Sequence, residues 1–399
     1  MYYSSLADTE EAFQDIEKAE ANNEVVLTEP TEPISGPSTE KTEKVNVKEY
    51  FLNNNLTTKK EIKWRTNLQY ITPEFQWYKQ EKLPCVDLES PYQFFCKYFT
   101  DGLFERMATF TNLYAVQKQI RFSCTNSEEM KTFVGIHVLM GNLHYPRIKC
   151  YWNPKLRISH IADNMPLNRF YTLRQNLHFV DITNNAENRD RFWKIRPLYD
   201  TIRSQMLTLP LESKLSIDEQ MVPFKGSLNV KQFIKNKPKP WGIKIYALCG
   251  TSGQMLDFIL YQGSTTGLDH SHSSVFGQSG AVVLKLSERI REKNCQLYFD
   301  NYFSNYNVLQ VLRNNYIYAT CTARLNRFNN PLFSSDKEMK RRGRGSSEEV
   351  ISQDGEVIMT KWFDNKPVVM ASNYMGIGNM DQCKRWDKTA KQFIQVNRP

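Results

Sequence analysis

The sequence predicts an α/β (α+β) fold in which a mixed sheet follows a mostly helical module. Over residues 65–210, apolar residues recur at helical spacing. After Pro210 the pattern changes to short runs rich in Ile, Val, Tyr and Phe, separated by Gly or Pro, which is typical of strands. Helical patterns interrupt these runs, and strands mixed with helices indicate a mixed sheet rather than a sandwich.

The first 60 residues carry no such pattern. They contain a stretch rich in Glu, Pro, Thr and Ser, LTEPTEPISGPSTEKTEK, and residues 1–50 hold 12 acidic against 4 basic side chains. A segment this polar cannot bury enough apolar surface to offset the entropy lost on ordering it. We therefore predict a disordered acidic tail over 1–60, with a short docking element beginning near Tyr50.

The helical module of 65–210 has recognisable helix starts. Ser90-Pro91 precedes a long aromatic-rich pattern, and Asn126 or Ser127 precedes the next, whose first turn is acidic. Two further helical patterns cover MPLNRFYTLRQNLHFV and KIRPLYDTIRSQMLTL. The module is therefore expected to contain at least four helices.

In the sheet region, residues 211–375, strands are predicted in KLSIDEQMVPF, KQFIKNKPKPWGIKIYALCG, QMLDFILYQG, CQLYFDNYF and YIYATCTAR, and a hairpin in VIMTKWFDNKPVVMASN. Helices are predicted in SGAVVLKLSERIREKN and SNYNVLQVLRNNY. The basic run KEMKRRGRGSS reads as an exposed loop, and residues 376–399 as a C-terminal linker.

Charge and composition narrow the classes of function. The chain carries a net charge of +9, and with the acidic head set aside the remainder carries +17. A body that basic makes a nucleic acid the default partner, although a basic protein that is merely soluble fits equally well. No apolar run approaches the roughly 20 residues needed to span a bilayer, and no secretory signal begins the chain. Eight scattered cysteines with no CxxC pair argue against a zinc module and a disulfide framework.

Two aspartates follow apolar strand patterns. Asp218 comes after LSI, and Asp300 after QLYF. Two strand-end carboxylates in one sheet are able to converge on a divalent cation, and hard oxygen ligands suit Mg²⁺ or Mn²⁺. The alternative is that each only accepts backbone N–H hydrogen bonds.

Several linked motifs resemble the piggyBac family of transposases and transposable element-derived proteins. They occur in the family's order: K-I-R-P-L-Y-D, then D-E-Q-M-V-P-F-K-G, then N-K-P before a G-I-K strand, then D-N-Y-F-S before a helix. Farther on come an R-G element at 344–345 and the K-W-F-D-N-K-P-V strand turn. The resemblance covers roughly residues 90–395.

The resemblance implies an RNase H-like catalytic core with helical dimerisation and DNA-binding regions around it. Its implied chemistry is cut-and-paste transposition at TTAA targets through DNA hairpin intermediates, with a two-metal site. Matched by motif, Asp218 is the first metal-binding carboxylate and Asp300 the second, with Mg²⁺ or Mn²⁺ as cofactor. A homodimer, double-stranded DNA as partner, no membrane and a nuclear location are expected with it.

A third carboxylate is expected in a G-G-V-D element after a stretch like KQFIQVNRP, where this sequence ends. Asp364, Asp381 and Asp387 are poor substitutes, because metal geometry demands an exact position. We therefore expect a piggyBac-derived DNA-binding protein of DDD transposase descent that does not transpose alone. The alternative is an active metal-dependent transposase, if the sequence is part of a longer protein.

Other side chains are candidates for DNA contact. These are Lys235, Lys237, Lys239, Trp241, Arg324 and Arg327. The lysines are suited to phosphates, and the tryptophan either stacks on a base or caps the sheet. The two arginines either face the DNA or form a solvated edge.

Two further patterns have competing readings. The basic run KEMKRRGRG is a candidate for DNA contact or for nuclear import, or is an ordinary charged surface. Asp269-His270-Ser271-His272 places two histidines beside a carboxylate, which is one possible set of metal ligands. Its Gly/Ser-rich surroundings favour a solvated loop.

Overall fold

The computed structural model describes residues 46–74, 76, 89–184, 190–235, 237–291, 294–388 and 390–399. Residues 1–45 of the predicted acidic tail lie outside the described part of the chain. From there the prediction of disorder is wrong, because α1 (Val47–Asn53) is a helix capped by the Asn46 side chain. Tyr50 and Phe51 pack against the main core, which confirms the docking element.

In the described part of the helical module, six helices and a 3₁₀ turn follow. They are α2 (Pro91–Tyr98), α3 (Asp101–Gln117), α4 (Ser127–Leu143), the turn Ile148–Trp152, α5 (Ser159–Ala162), α6 (Leu167–Asn176) and α7 (Arg196–Thr208). The predicted caps are confirmed at Ser90, which forms a full capping box, and at Asn126. The long aromatic pattern is two helices rather than one, because Thr100 caps α3 and ends the continuity with α2.

The helical module has a core of its own. The buried side chains of α3, α4 and α6 form a single apolar cluster that includes Met130, Phe133, Ile136, Phe170 and Leu173. The spacing of these residues at three and four positions is the helical period on which the sequence prediction rested.

The second part is a ten-stranded sheet. Its strands are β1 (Trp64–Arg65), β2 (Lys214–Pro223), β3 (Gln232–Phe233), β4 (Trp241–Gly250), β5 (Met255–Leu260), β6 (Gln296–Phe299), β7 (Tyr318–Thr322), β8 (Ser347–Ser352), β9 (Ile358–Phe363) and β10 (Pro367–Ser372). The order is β1-β8-β9-β10-β7-β6-β2-β4-β3, with β5 also paired to β4. The predicted hairpin is confirmed as β9–β10.

The centre of the sheet mixes both pairings. β2, β4 and β5 are antiparallel neighbours, whereas β2, β6 and β7 run parallel. Parallel neighbours need crossover connections, and the helices α8 (His270–Ser287) and α9 (Tyr306–Asn314) lie in these connections. The mixed sheet with helices confirms the predicted α/β class.

The two faces of the central strands are covered differently. Leu215, Ile217 and Leu297 are buried in the main core with residues of α8 and α9. On the other face, residues of β4 and β5 pack against Tyr199 and Ile202 of α7 in a smaller cluster. The alternation along β2 therefore turns Ser216 and Asp218 away from the main core.

The last part of the chain differs from two expectations. The basic run predicted as a loop begins with a short helix, α10 (Asp336–Arg342), because Ser335 caps it and Gly343 (φ 95°) follows its end. Residues 376–399, predicted as a linker, contain the two-stranded sheet of β11 (Asp381–Asp387) and β12 (Gln392–Arg398). In the described residues, no helix is long and apolar enough to cross a membrane.

Candidate metal and nucleic-acid site

The two predicted carboxylates lie on neighbouring strands. β2 and β6 pair in parallel with Ile217 opposite Phe299, so Asp218 and Asp300 occupy the next opposed positions. Asp300 follows the last residue of β6, as predicted. Asp218 is not at a strand end, because β2 continues to Pro223 through its pairing with β4. Both aspartates are exposed.

Each carboxylate accepts a backbone hydrogen bond, and Asp218 also shares a hydrogen bond with the Glu219 side chain. Asp218 accepts from the N–H of Glu219 at 2.8 Å, and Asp300 from the N–H of Tyr302 at 2.5 Å. Within the described part of the chain, neither is joined to a lysine or arginine in an ion pair. Two anionic, open oxygen donors on adjacent positions suit a hard divalent cation.

Glu219 is a third acidic group beside this pair, and sequence reasoning missed it. Its carboxylate lies 3.1 Å from the Lys237 ammonium, which also donates to the Glu219 carbonyl at 3.3 Å. Burial and a hydrogen bond shared with Asp218 raise the pKa of Glu219, while Lys237 opposes that shift. The acidic D-E pair in the sequence was the available signal.

The Lys237 ammonium therefore interacts with the negative charges of Glu219, Asp218 and Asp300. Burial alone lowers its pKa, but the hydrogen bond to Glu219 and the charges of Asp218 and Asp300 outweigh burial, so the pKa is raised. Lys237 was predicted to contact DNA phosphates. The structure places its ammonium on Glu219, next to the carboxylates.

Arg327 holds the turn that follows Asp300. One of its guanidinium nitrogens donates to the carbonyl oxygens of Asn301, Tyr302 and Ser304, at 3.0, 2.7 and 3.1 Å. Arg324 is exposed and donates to the Asn301 side chain at 2.8 Å. Both arginines were predicted to face DNA or solvent, and both bind the turn that carries Asp300.

A buried lysine contacts the same turn through Tyr302. Lys244 is 8% exposed, and its ammonium lies 4.1, 4.8 and 5.4 Å from the ring centroids of Tyr261, Tyr246 and Tyr302. Cation–π attraction is strongest where the cation is desolvated. Since the Tyr302 N–H donates to Asp300, this cage connects the main core to the candidate site.

The remaining DNA-contact candidates lie at the far end of the β2–β4 pair. Lys235 and Lys239 are exposed, and Trp241 is 55% exposed at the start of β4. The Trp241 ring packs on Phe233, with centroids 4.9 Å apart. The structure therefore gives Trp241 an open ring face rather than a place beneath the sheet.

The poor substitutes for a third carboxylate are held by arginines. Asp364 pairs with Arg344 and Arg385, Asp387 with Arg344, and Asp381 with Arg398. Among the residues that the structure describes, no group of three or more His, Cys, Asp and Glu side chains is arranged to hold a metal ion.

The H-x-H pattern is part of a helix, so the predicted loop is wrong there. Asp269 caps α8 by accepting from the His272 N–H at 2.8 Å. His270 and His272 are two positions apart on that helix, where side chains do not face each other. The His272 ring instead contacts the rings of Tyr50 and Phe276 edge-on.

Comparison with known proteins places this arrangement in a family. Residues 90–398 match the family model described as Transposase IS4. The chain is 30% identical over 318 residues to human piggyBac transposable element-derived protein 3, covering 78% of this chain and 53% of the relative. The chain belongs to the piggyBac family. It is also 30% identical over 342 residues to human piggyBac transposable element-derived protein 2, covering 82% and 56%.

The piggyBac-family chain also matches a solved structure. That structure is a cryo-EM synaptic complex of piggyBac transposase with hairpin DNA, with a TM-score of 0.63 and 22% identity. The match covers 77% of this chain and 65% of the other. It confirms the expected fold, a mixed-sheet core of the RNase H-like kind. This chain spans about half the length of its human relatives.

Proposed function

We propose that this chain binds double-stranded DNA as a piggyBac transposable element-derived protein of DDD transposase descent. The observation that carries the proposal is that Asp218 and Asp300 directly follow Ile217 and Phe299, which oppose each other on adjacent parallel strands. Both carboxylates are exposed and open to a ligand. We further propose that these 399 residues do not transpose on their own, since they supply two carboxylates of the three that the resemblance implies.

Basic residues between β2 and β4 support a DNA partner. Lys231, Lys235 and Lys239 lie on the segment between β2 and β4, and the chain outside the acidic head carries a net +17. Lysines provide the sequence-independent attraction to phosphates that dominates duplex binding. In this arrangement Lys237 neutralises Glu219, while Lys235 and Lys239 remain exposed for the backbone of the DNA.

The residues present fit a divalent cation. Asp218 and Asp300 would hold Mg²⁺ or Mn²⁺, leaving its other positions to water and phosphate oxygens, as Mg²⁺ prefers. The bound ion would supply charge stabilisation for a phosphate group and activation of water. Arg327 and the Lys244 cage fix the turn of Asp300, and the Glu219–Lys237 pair sets the charge beside Asp218.

The second candidate function is metal-dependent cut-and-paste transposition at TTAA-flanked ends. The same pair of carboxylates favours it, because such a pair is the start of a two-metal site. In that case a longer chain would provide the third carboxylate. Strand cleavage therefore separates the two functions.

The test uses a labelled duplex with TTAA-flanked ends, Mg²⁺ and the 399-residue protein. We expect duplex binding that weakens steeply as salt rises, and no strand cleavage. Binding that is unchanged across salt, or absent, would contradict a DNA partner. Cleavage that disappears in both Asp218→Ala and Asp300→Ala would establish the second candidate function instead.

Assembly as a homodimer and a nuclear location belong to the same proposal. Tyr92, Phe94 and Val138 are exposed apolar side chains on α2 and α4, which makes the helical module the expected dimer surface. Light scattering on the protein and a Phe94→Glu variant tests it. Nuclear import is tested by comparing the location of a fluorescent fusion with that of a variant in which the exposed basic side chains of α10 are replaced. Loss of nuclear fluorescence in the variant is the expected result.

A further inference from the structure

Three exposed aromatic side chains lie at the end of the β2–β4 pair away from the carboxylates. Phe224, Phe233 and Trp241 are 37%, 53% and 55% exposed. Lysines stand between them in the sequence and around them in space. We call this set the aromatic–lysine patch: Phe224, Lys225, Lys231, Phe233, Lys239 and Trp241.

The backbone fixes the rings of this patch. A Cβ on Gly242 would lie 2.1 Å from the Val222 carbonyl oxygen, so only glycine lets β4 approach β2 here. That close approach sets the position of Trp241, the residue before it. The Phe224 ring lies over Gly226, whose Cβ would be 2.7 Å from the ring. The aromatic faces are therefore presented by a close-packed strand pair.

A groove of about 490 Å³ runs between the rings. Phe224, Trp241 and two prolines line it together with Lys225, Lys231 and Lys239, and none of its lining residues in the described structure is acidic. The Lys231 ammonium is held by the Gly226 carbonyl at 2.9 Å and lies 5.7 Å from the Trp241 ring centroid. The groove thus joins flat apolar faces to concentrated positive charge.

We propose that the aromatic–lysine patch binds the unpaired bases of a single DNA strand, next to the duplex held at the carboxylates. This inference rests on the proposed DNA-binding function. Aromatic faces with interleaved basic side chains are what single strands require, because bases stack on the rings while lysines neutralise the backbone. The bases of an intact duplex are stacked on each other and present no free face to Trp241.

The distance to the carboxylates makes the two surfaces parts of one track. Pro223 lies five positions after Asp218 on β2, which is about 17 Å at strand rise. That length equals about five nucleotide steps at duplex spacing. An unpaired strand extends at least as far per nucleotide as a stacked one, so a strand that leaves the duplex at the carboxylates reaches the patch within about five unpaired nucleotides.

The test compares the binding of three DNAs to the full chain by fluorescence anisotropy across a salt series. They are a blunt duplex, the same duplex with a single-stranded extension of about five nucleotides, and the extension strand alone. We expect the extended duplex to bind about tenfold or more tightly than the blunt one, and Trp241→Ala to remove that difference. Blunt-duplex affinity should change less than about twofold.

The chain offers a matched control. Trp386 is 47% exposed on β11, packs on Phe393 at 5.1 Å between ring centroids, and has the Lys384 ammonium 4.7 Å from the Phe393 ring. Trp386→Ala should leave all three affinities unchanged. Trp241→Phe keeps an aromatic face for stacking and should retain most of the preference for the extended duplex. This variant also shows whether a loss in Trp241→Ala comes from the missing ring or from a failure to fold.

The outcomes separate the two proposals. Equal binding of blunt and extended duplex, or equal losses for Trp241→Ala and Trp386→Ala, would overturn the patch and leave duplex binding intact. Binding of the single strand through Trp241 without any duplex binding would overturn the proposed function and keep the patch. A second protein copy on the patch would appear as dimer loss in Trp241→Ala without any change in DNA affinity, and would also overturn it.

Discussion

Asp218 and Asp300, at the centre of the sheet, differ from Asp364 and Asp387, near the C-terminal hairpin, in what surrounds their charge. Asp364 is 15% exposed at its side chain and receives guanidinium groups from Arg344 and Arg385. The central pair is exposed and accepts backbone N–H groups, and within the described residues neither carboxylate is in an ion pair with an arginine or lysine. The fold therefore neutralises one set of carboxylates with arginines and leaves the other set exposed, and the proposed cation site lies at the exposed set.

The largest effect that sharpens this comparison is on metal binding. Asp218→Asn or Asp300→Asn should weaken Mn²⁺ binding by at least about 10- to 100-fold. That is the loss usually seen when a residue that only hydrogen-bonds to a metal ligand is removed, and these two aspartates are proposed to bind the ion directly. Each change removes an anionic oxygen donor and retains the shape of the side chain. Titration calorimetry with Mn²⁺ measures the effect. Asp381→Asn, in an exposed ion pair with Arg398, is the control, and equal affinities in all variants would show that no cation binds at the pair.

The second effect concerns the stability of the neutralised set. Asp364→Ala should lower the free energy of unfolding by about 2–4 kcal/mol, because the partly buried Arg344 loses its 2.5 Å ion pair and keeps only the longer one, at 3.8 Å, with Asp387. Urea denaturation measures the change. Asp218→Asn should not destabilise the protein, since it removes one of two neighbouring like charges. A loss below about 0.5 kcal/mol for Asp364→Ala would mean that its ion pairs behave as surface pairs.

The third effect separates the two arginines of the Asp300 turn. Arg327→Ala should cost about 1–3 kcal/mol, because three carbonyl groups lose a charged donor. Arg324→Ala, at an exposed position with one side-chain partner, should stay within about 0.5 kcal/mol. The same urea curves measure both. Similar losses in the two variants would contradict a structural role that belongs to Arg327 alone.

Local signals predicted much of the fold. Ser90 and Asn126 are caps that the sequence identifies by residue type and spacing, and the helical part follows from apolar residues at three and four positions. The D-E-Q and D-N-Y-F-S segments identified Asp218 and Asp300. The structure brings these two aspartates to opposed positions.

Partner choice in three dimensions could not be predicted in this way. The strand β2 continues past Asp218 only because β4 pairs with it, and a strand's length depends on its neighbour. Lys237 lies on Glu219, Arg327 on backbone carbonyls and Lys244 among tyrosines, although all three are basic residues near the site. Sequence gives their charge, and the fold decides which group each of them meets.

The smallest effect is a dependence on pH that comes from Glu219. Its pKa is raised by burial and by the hydrogen bond with Asp218, so the folded state holds the Glu219 proton more tightly than the unfolded state does. The stability that this proton contributes is present at low pH and is lost as pH rises from about 4.5 through the raised value.

Glu219→Gln cannot lose that proton, so its melting temperature relative to the unmodified protein should rise across this pH range. Lys237→Met keeps the Glu219 carboxyl but removes the cation that opposes the rise in its pKa. The loss of stability with rising pH should therefore be larger in this variant than in the unmodified protein. Thermal melts of the three proteins at a series of pH values measure both changes, and parallel pH profiles would mean that Glu219 titrates alike in the folded and unfolded chain, outside the influence of the carboxylate pair.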